Sequence, residues 1–397
     1  MGKLAIKGGA AVRSGKSFPR WPYSDKNERA KVTGIYESNN WGGGTEVTAF
    51  ADRFAKYSNT KYCILTANGT VTLEMILRGL EIGRGDEVIL PPYTFIATLS
   101  SIIFAGATPV FADIDRETYN ISAESIVRKI TPKTKAVIAV CVGGRPIDAD
   151  AIQKITDEKG IYLIIDAAQG VGSAWRGGSM GKYGVAASIS CQNSKNLTAG
   201  EGGIIITDSD SVYENITTIL NGNVCGYNNI YQDNNMTAFQ AGMLNVQMDR
   251  LDGQISKRMN NAARLDKRLN ETDIVGSLKI DERITRNSYH LYLCRFNYEK
   301  LAELGVDRNK FISALVAEGV DISAGYMPLY TFPCVSTGYT EKIIGAEIDV
   351  SPLDECEIAS YKEGAWMYQS ILLGETSDMD DVADAVLKIY ENIAELQ

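Results

Sequence analysis

One histidine, His290, serves the whole chain of 397 residues, and that scarcity removes several kinds of chemistry at once. A zinc site built on several imidazoles is impossible, and the HExxH and paired Cys/His spacings are absent. A Ser-His-Asp hydrolase would have to rest wholly on His290. The stretch GGSMG, Gly177 to Gly181, does match the GxSxG pattern of a nucleophile elbow. It follows the polar AWRGG rather than a buried strand, so a hairpin turn is expected there. The seven cysteines are odd in number and scattered, with no CxxC pair, which suits free thiols in a reducing compartment. There is no run of about 18 apolar residues, and MGKLAIKGGAAVRSGKSFPRWP lacks the apolar core of a signal peptide. A cytoplasmic location is therefore expected. The net charge of −9 is carried by interspersed signs without a Lys/Arg block, so neither nucleic acid nor an anionic membrane is an expected partner.

What is present is a pattern. Of the residues, 45% are hydrophobic and 22% charged, a composition that supports a large core and two domains. From Tyr62 onward, apolar runs of strand length (YCILTA, DEVILPP, PVFADID, KAVIAVCV, IYLIIDAA) alternate with helical stretches. AASISCQ and GGIIITD add two short strands. This alternation predicts a doubly wound α/β domain with a mostly parallel sheet. After about Asn245 the texture changes. A polar helix over Met248 to Leu269, a strand at YHLYLCRF, a helix at Arg308–Glu318 and a last helix from Asp378 predict a smaller C-terminal α+β domain. The expected division is residues 1–250 and 251–397.

Ligands of open α/β sheets bind beyond the carboxyl ends of the strands. YLIID ends there in Asp166, and a carboxylate closing four apolar residues is costly unless something positive meets it; an N-cap role is the plainer reading. SISCQNSKNLTAGEGG places Lys195 between a short strand and a glycine-rich turn, among Ser190, Gln192, Asn193, Ser194 and Thr198. A desolvated lysine loses basicity and attacks carbonyl carbons. Pyridoxal phosphate (PLP) asks a protein for a lysine, a carboxylate for its ring nitrogen and a phosphate cradle. Lys195 and Asp166 supply the first two. TANGT, opening the helix VTLEMILRGL, offers Gly69 and Thr70 at a helix N-terminus for the third.

Those residues carry a resemblance. LAIKGGAAVR, ANGTVTLEMILRGLEIGRGDEVILPPYTFIAT, GATPVFADIDRETYNI, IIDAAQ, NSKNLTAGEGG and AGYMPLY together resemble the DegT/StrS-type sugar aminotransferases, PLP enzymes of fold type I, almost end to end. The resemblance implies PLP as cofactor and Lys195 as the Schiff-base lysine that also moves the proton. Asp166 would keep the pyridine nitrogen protonated, and Gln169 would lie near the ring hydroxyl. Phe95 would stack on the ring face, where simple core packing is the alternative. Gly69, Thr70 and Ser190 would hold the phosphate, and Glu201, Gly202 and Gly203 would shape the turn behind the lysine.

Several positions depart from the family pattern. Cys141 stands where a His is usual, and Val185 where an Asp is usual. In YQDNNMTAFQAG the family has N-Y-R-M, whose Asn reaches the phosphate of the partner subunit. Aligned on Met236, Asp233 takes the Asn position and Asn235 the Arg position. A carboxylate roughly 4 Å from a phosphate is repelled by a few kcal/mol. Either Asn234 makes the contact through a one-residue shift, or the contact is absent, or the partner is a different protein.

The resemblance implies a transaminase that takes nitrogen from glutamate or glutamine. Its acceptor would be a ketone on a cyclitol of scyllo-inosose type or on a sugar. Keto-sugar nucleotides, a weakened member serving as partner subunit, and dehydrating PLP chemistry are the alternatives. A homodimer with shared active sites is implied, a heterodimer with a paralogue being the variant of that expectation.

Overall fold

In the computed structural model, which describes residues 2–221 and 231–397, the alternating runs become one seven-stranded sheet. Cys225 lies outside the described residues. Its strands are β1 (Tyr62–Thr66), β2 (Glu87–Leu90), β3 (Thr108–Phe111), β4 (Thr134–Val140), β5 (Tyr162–Asp166), β8 (Ala186–Ser190) and β9 (Gly203–Thr207), while β6 (Ala174–Trp175) and β7 (Gly178–Ser179) lie outside it. The sheet order is β1-β9-β8-β5-β4-β2-β3. β8, β5, β4, β2 and β3 pair in parallel, while β9 runs against both of its neighbours. This is the fold expected, with a mostly parallel sheet.

The long apolar runs are explained by burial on both faces. Helices α1 (Lys26–Ser38), α2 (Thr45–Ser58), α3 (Gly69–Gly79), α4 (Ile96–Ala105), α5 (Ala123–Lys129), α6 (Ala149–Lys159), α7 (Asp210–Asn221) and α8 (Ala238–Leu269) surround the sheet. Successive residues of a strand point to opposite faces. Leu65, Val137, Ala139, Leu163, Ile165, Ile204 and Ile206 therefore pack with Phe50 and Phe54 of α2 and Leu244 and Leu251 of α8. Their neighbours Ile64, Ala136, Ile138, Ile164 and Ile205 pack with Leu73 of α3, Ile102 of α4 and Ile216 of α7. A parallel sheet covered on both sides reads as a continuous apolar run for this reason.

GGSMG is the expected hairpin. β6 and β7 pair antiparallel around Arg176 and Gly177, whose φ of 48° and 81° make the left-handed turn that such hairpins favour. Ser179 spends its hydroxyl on the Gly181 N–H at 3.3 Å.

The C-terminal part holds β10 (Val275–Ser277), β11 (Ile284–Arg286), β12 (Leu291–Phe296), β13 (Ile322–Ala324) and β14 (Gly364–Tyr368). β10, β12, β14 and β13 form an antiparallel sheet. Helix α8 begins ten residues before its expected start. A capping box between Thr237 and Gln240 sets that start. The expected boundary at residue 250 falls inside α8, whose Leu244 and Leu251 join the large core and whose Leu265 and Leu269 join the C-terminal one. Leu4, Val12 and Phe18 also pack in that second core. Glu318, fully buried, explains the attachment: its carboxylate accepts the N–H groups of Ala5 and Val12 and the Lys388 ammonium, each at 2.9 Å.

Candidate active site

Because β8, β5, β4 and β2 run the same way, the segments that follow Ser190, Asp166, Val140 and Leu90 emerge at one edge of the sheet. β1, antiparallel to β9 and so aligned with β8, delivers Asn68 and Gly69 to the same edge.

Asp166 is buried. Its Oδ2 accepts the Thr98 hydroxyl at 2.9 Å and its Oδ1 accepts the Ala168 N–H at 3.1 Å. It forms no ion pair among the described residues. Burial pushes its carboxyl up, and these two hydrogen bonds with the nearby Lys195 charge only oppose the shift. Lys195 shows the complementary effect. Burial lowers its ammonium to about 8, against the pull of Asp166. The backbone around it is pinned from three directions: Trp21 Nε1 donates to the Lys195 carbonyl at 3.2 Å, Gln369 Nε2 to that of Ser194 at 3.4 Å, and Asn196 Nδ2 to that of Ser288 at 2.7 Å. Gln369 is itself held by Arg258, whose Nε and Nη2 both donate to its Oε1. Two reciprocal bonds between Gln247 and the Thr198 backbone, 3.0 and 2.6 Å, close the loop. His290 is buried beside Lys195 and Arg258; burial and these two cations hold it neutral.

Gln169, three residues past Asp166 at the end of β5, is fully engaged. Its Oε1 accepts the Gly143 N–H at 2.7 Å and its Nε2 donates to the Tyr326 hydroxyl at 2.8 Å. Phe95 caps α4 and is 59% exposed, so it is no core residue. At the start of α3, Asn68 Oδ1 accepts from Thr70 N at 3.1 Å and Val71 N at 3.0 Å. A Cβ on Gly69 would stand 2.7 Å from Ser190 Cβ, and one on Gly203 2.4 Å from Thr66 Oγ1. Glycine is required at both places by close approach. Glu201 contributes its carbonyl, which accepts Gln240 Nε2 at 2.9 Å. Asn234 lies against the same loop. Its carbonyl accepts Ala67 N–H at 2.7 Å, Asn235 bridges to Thr66, and Asn234 Nδ2 is buried without a partner. Asp233 is exposed and accepts Asn235 Nδ2 at 3.1 Å.

The departures from the family pattern have plain structural roles here. Cys141 is buried, its N–H bonded to the Asp166 carbonyl at 2.9 Å, and burial pushes its thiol up to about 12. Val185 N–H bonds the Leu163 carbonyl at 2.8 Å and helps align β8 on β5. Trp21, Gln247 and Gln369 carry no signal in the sequence that marks them as site residues, and Thr98 and Tyr326 lie in the stretches PYTFIAT and AGYMPLY without being singled out there. Asn68 is marked: an Asn directly before an apolar helix is an N-cap signal.

A sequence profile of the DegT/DnrJ/EryC1/StrS aminotransferase family matches residues 22–347. The chain belongs to this family. It is an aminotransferase, of a family whose enzymes depend on PLP. It is 33% identical, over 100% of its length and 99% of the other's, to a protein of Micromonospora echinospora named as a putative L-glutamine:3-amino-2,3-dideoxy-scyllo-inosose aminotransferase. It is 31% identical to 3-amino-5-hydroxybenzoate synthase of Amycolatopsis mediterranei, over 95% of this chain and 99% of that one. The crystal structure of a 3-amino-5-hydroxybenzoic acid synthase superposes with a TM-score of 0.85 at 27% identity, covering 95% of this chain and 99% of the other.

The residues present fit PLP. A near-neutral amine, a buried carboxylate without a cationic partner, a glycine whose Cβ would fill the space before Ser190 and an exposed aromatic share one edge of the aminotransferase's sheet. Gly69→Ala forces Ser190 or the start of α3 to move, so about 1–3 kcal/mol of stability should be lost. PLP should also dialyse away faster than from the parent. A variant with parental melting and retention would mean that the close approach is not built into the cradle. In the apoprotein, Lys195 should react with a small aldehyde at a rate that climbs through pH 8, its unprotonated form becoming dominant there. Reductive trapping and mass spectrometry of the Lys195 peptide would read it; a midpoint near that of surface lysines would remove the desolvation argument.

Proposed function

We propose that this enzyme moves the amino group of L-glutamine to the ketone of a cyclitol of scyllo-inosose type, with PLP held between Lys195 and Asp166. The observation that carries the chemistry is the pair itself, an amine lowered to about 8 beside a buried carboxylate that lacks a cation. The choice of substrates is supported by full-length relatives bearing that activity in their names, among them the L-glutamine:2-deoxy-scyllo-inosose aminotransferase of Streptomyces fradiae at 30% identity.

When bound, PLP supplies an electron sink for a carbanion at the donor's α-carbon. The chain does the rest. Asp166, aimed by Thr98 and Ala168, holds a proton at the ring nitrogen. Lys195 Nζ, basic enough to accept and acidic enough to return a proton, moves it at the donor α-carbon. Phe95 would cover a ring face, and Gln169, fixed by Gly143 and Tyr326, would serve the ring hydroxyl. Asn68 already occupies two amides of α3, so the phosphate would rely on the Thr70 and Ser190 hydroxyls and the helix dipole, and Asn234 Nδ2, unpartnered, would serve the phosphate of the partner subunit. A homodimer that completes each site across its interface is part of this reading; light scattering that returns a monomer would remove it.

The test is turnover of the purified, PLP-loaded protein with L-glutamine carrying an isotopic label on its α-nitrogen. The yellow colour should bleach with glutamine and return on adding a keto-cyclitol, with the label found in the aminocyclitol. A protein that binds PLP but never bleaches with glutamine or glutamate would overturn the reading. The likeness to 3-amino-5-hydroxybenzoate synthase favours one second reading, dehydration and aromatisation of an amino cyclitol. That reaction needs no amino donor, so product formed without glutamine would select it.

A further inference from the structure

A cavity of about 260 Å³ opens where the loop after β4 meets α8 and β12. Nothing in the reaction uses it. Its wall carries a cation and a carboxylate that do not touch. Arg145 is 8% exposed and bonds the Lys279 carbonyl through Nη2, while its Nε is buried without a partner. Asp266 accepts the Tyr292 hydroxyl on Oδ1. Each lies in the field of the other, and no ion pair joins them among the described residues. Burial presses both toward their neutral forms, lowering Arg145 and raising Asp266.

Tyr289 lines the same cavity. It senses both charges, stacks on Tyr292 at 6.3 Å and holds a left-handed φ of 48°. A bulky residue keeps such a backbone only where its surroundings demand it. The rest of the wall is largely apolar, with Met259, Leu278, Leu291 and Leu293. Asp281, also on the wall, is neutralised by Arg283 at 2.7 Å.

A buried cation and a half-buried carboxylate on one cavity wall, not joined to each other, suit a ligand that carries both charges. A simple anion would leave Asp266 uncompensated, and a simple cation would do the same to Arg145. We infer that this cavity binds a free α-amino acid with an aliphatic or thioether side chain, its carboxylate on Arg145, its ammonium on Asp266 and its side chain against the apolar wall. The volume lies below the roughly 300–1,000 Å³ of drug-sized sites, in keeping with so small a ligand. The site adjoins the catalytic one through Gly143, which lines the cavity and holds Gln169 by its N–H.

The experiment is calorimetric titration of the PLP-loaded protein with L-leucine and L-methionine, beside isocaproate and isopentylamine, which each carry one of the two charges. At least one amino acid should bind with a saturable isotherm, and each half-ligand about tenfold or more weaker, the loss of one charge-assisted contact. Arg145→Gln and Asp266→Asn should each weaken the amino acid by a similar factor, while both variants still bleach with glutamine, which shows them folded. Lys195→Ala should bind it as the parent does. Absence of binding by both amino acids, binding unchanged in Arg145→Gln, or binding lost in Lys195→Ala would each overturn the proposal. The last result would place the amino acid in the catalytic site and leave the transaminase reading standing.

Discussion

Lys195→Ala should lose its colour and at least about 10⁴-fold in turnover, the upper range for a positioned acid/base, without losing stability as apoprotein. The two halves of this result have one cause. Burial takes the ammonium of Lys195 from its ordinary 10.5 to about 8. Charging it inside the fold therefore costs about 3 kcal/mol at 1.36 kcal/mol per unit. Its folded-state pKa is depressed, so the unfolded chain binds the extra proton between these two values. The penalty is full below pH 8 and fades as pH rises toward 10.5. Removing the amine lifts the penalty and loses some packing of its stem. The alanine apoprotein should melt at or above the parent at pH 7, and the gap should narrow at higher pH. Denaturant melts of both apoproteins across that range would measure it. A variant that turns over glutamine at the parental rate would dispose of the mechanism. One that loses several kcal/mol would make Lys195 a structural residue.

Asp166→Asn should cost about 10³-fold in turnover, the scale of one lost electrostatic partner in a dry site, with the apoprotein again as stable as the parent or more so. Asparagine removes the charge and keeps one acceptor, which can meet the Ala168 amide while its NH2 donates to the Thr98 hydroxyl. In the parent the carboxyl is raised by burial. Its destabilisation is therefore absent below the ordinary 3.8, develops as pH climbs to the folded-state value and persists above it. The neutral variant should overtake the parent across that window. On the proposed reading, holding the ring-nitrogen proton is what so costly a group would be kept for, since a neutral ring is a poor electron sink. The result expected is a fall in kcat larger than any change in KM for glutamine, with PLP still bound. Activity within a few-fold of the parent would show that the charge of Asp166 is dispensable.

Both residues are legible in the amino-acid sequence, because both are polar groups set at or just beyond the end of a run of buried strand residues. A charge in that place either caps something or does chemistry. The parallel sheet is legible for a related reason. Strands covered on both faces cannot alternate with polar residues, and YLIID, AVIAV and GIIIT do not. The start of α8 is not legible to the same degree, and it lies ten residues ahead of the expected Met248. The Thr237–Gln240 capping box marks the beginning, ahead of the apolar turns Ala238 to Leu244.

What the chain order could not reveal is which segments become neighbours. Thr98 reaches Asp166 across 68 residues, and Gln169 reaches Tyr326 across 157. Those contacts depend on β4 lying between β2 and β5 and on the C-terminal part packing over that edge. Local pattern is set by each residue's preference for water or core, and it determined the strands and marked Gly69, Lys195 and Asp166 as candidates. Pairing across the sheet and the seam is set by sheet order and packing, which bring distant residues into contact. Only the tertiary structure decided that Thr98 orients the carboxylate, that Arg258 and Gln369 brace the lysine loop, and that Arg145 and Asp266 line one cavity.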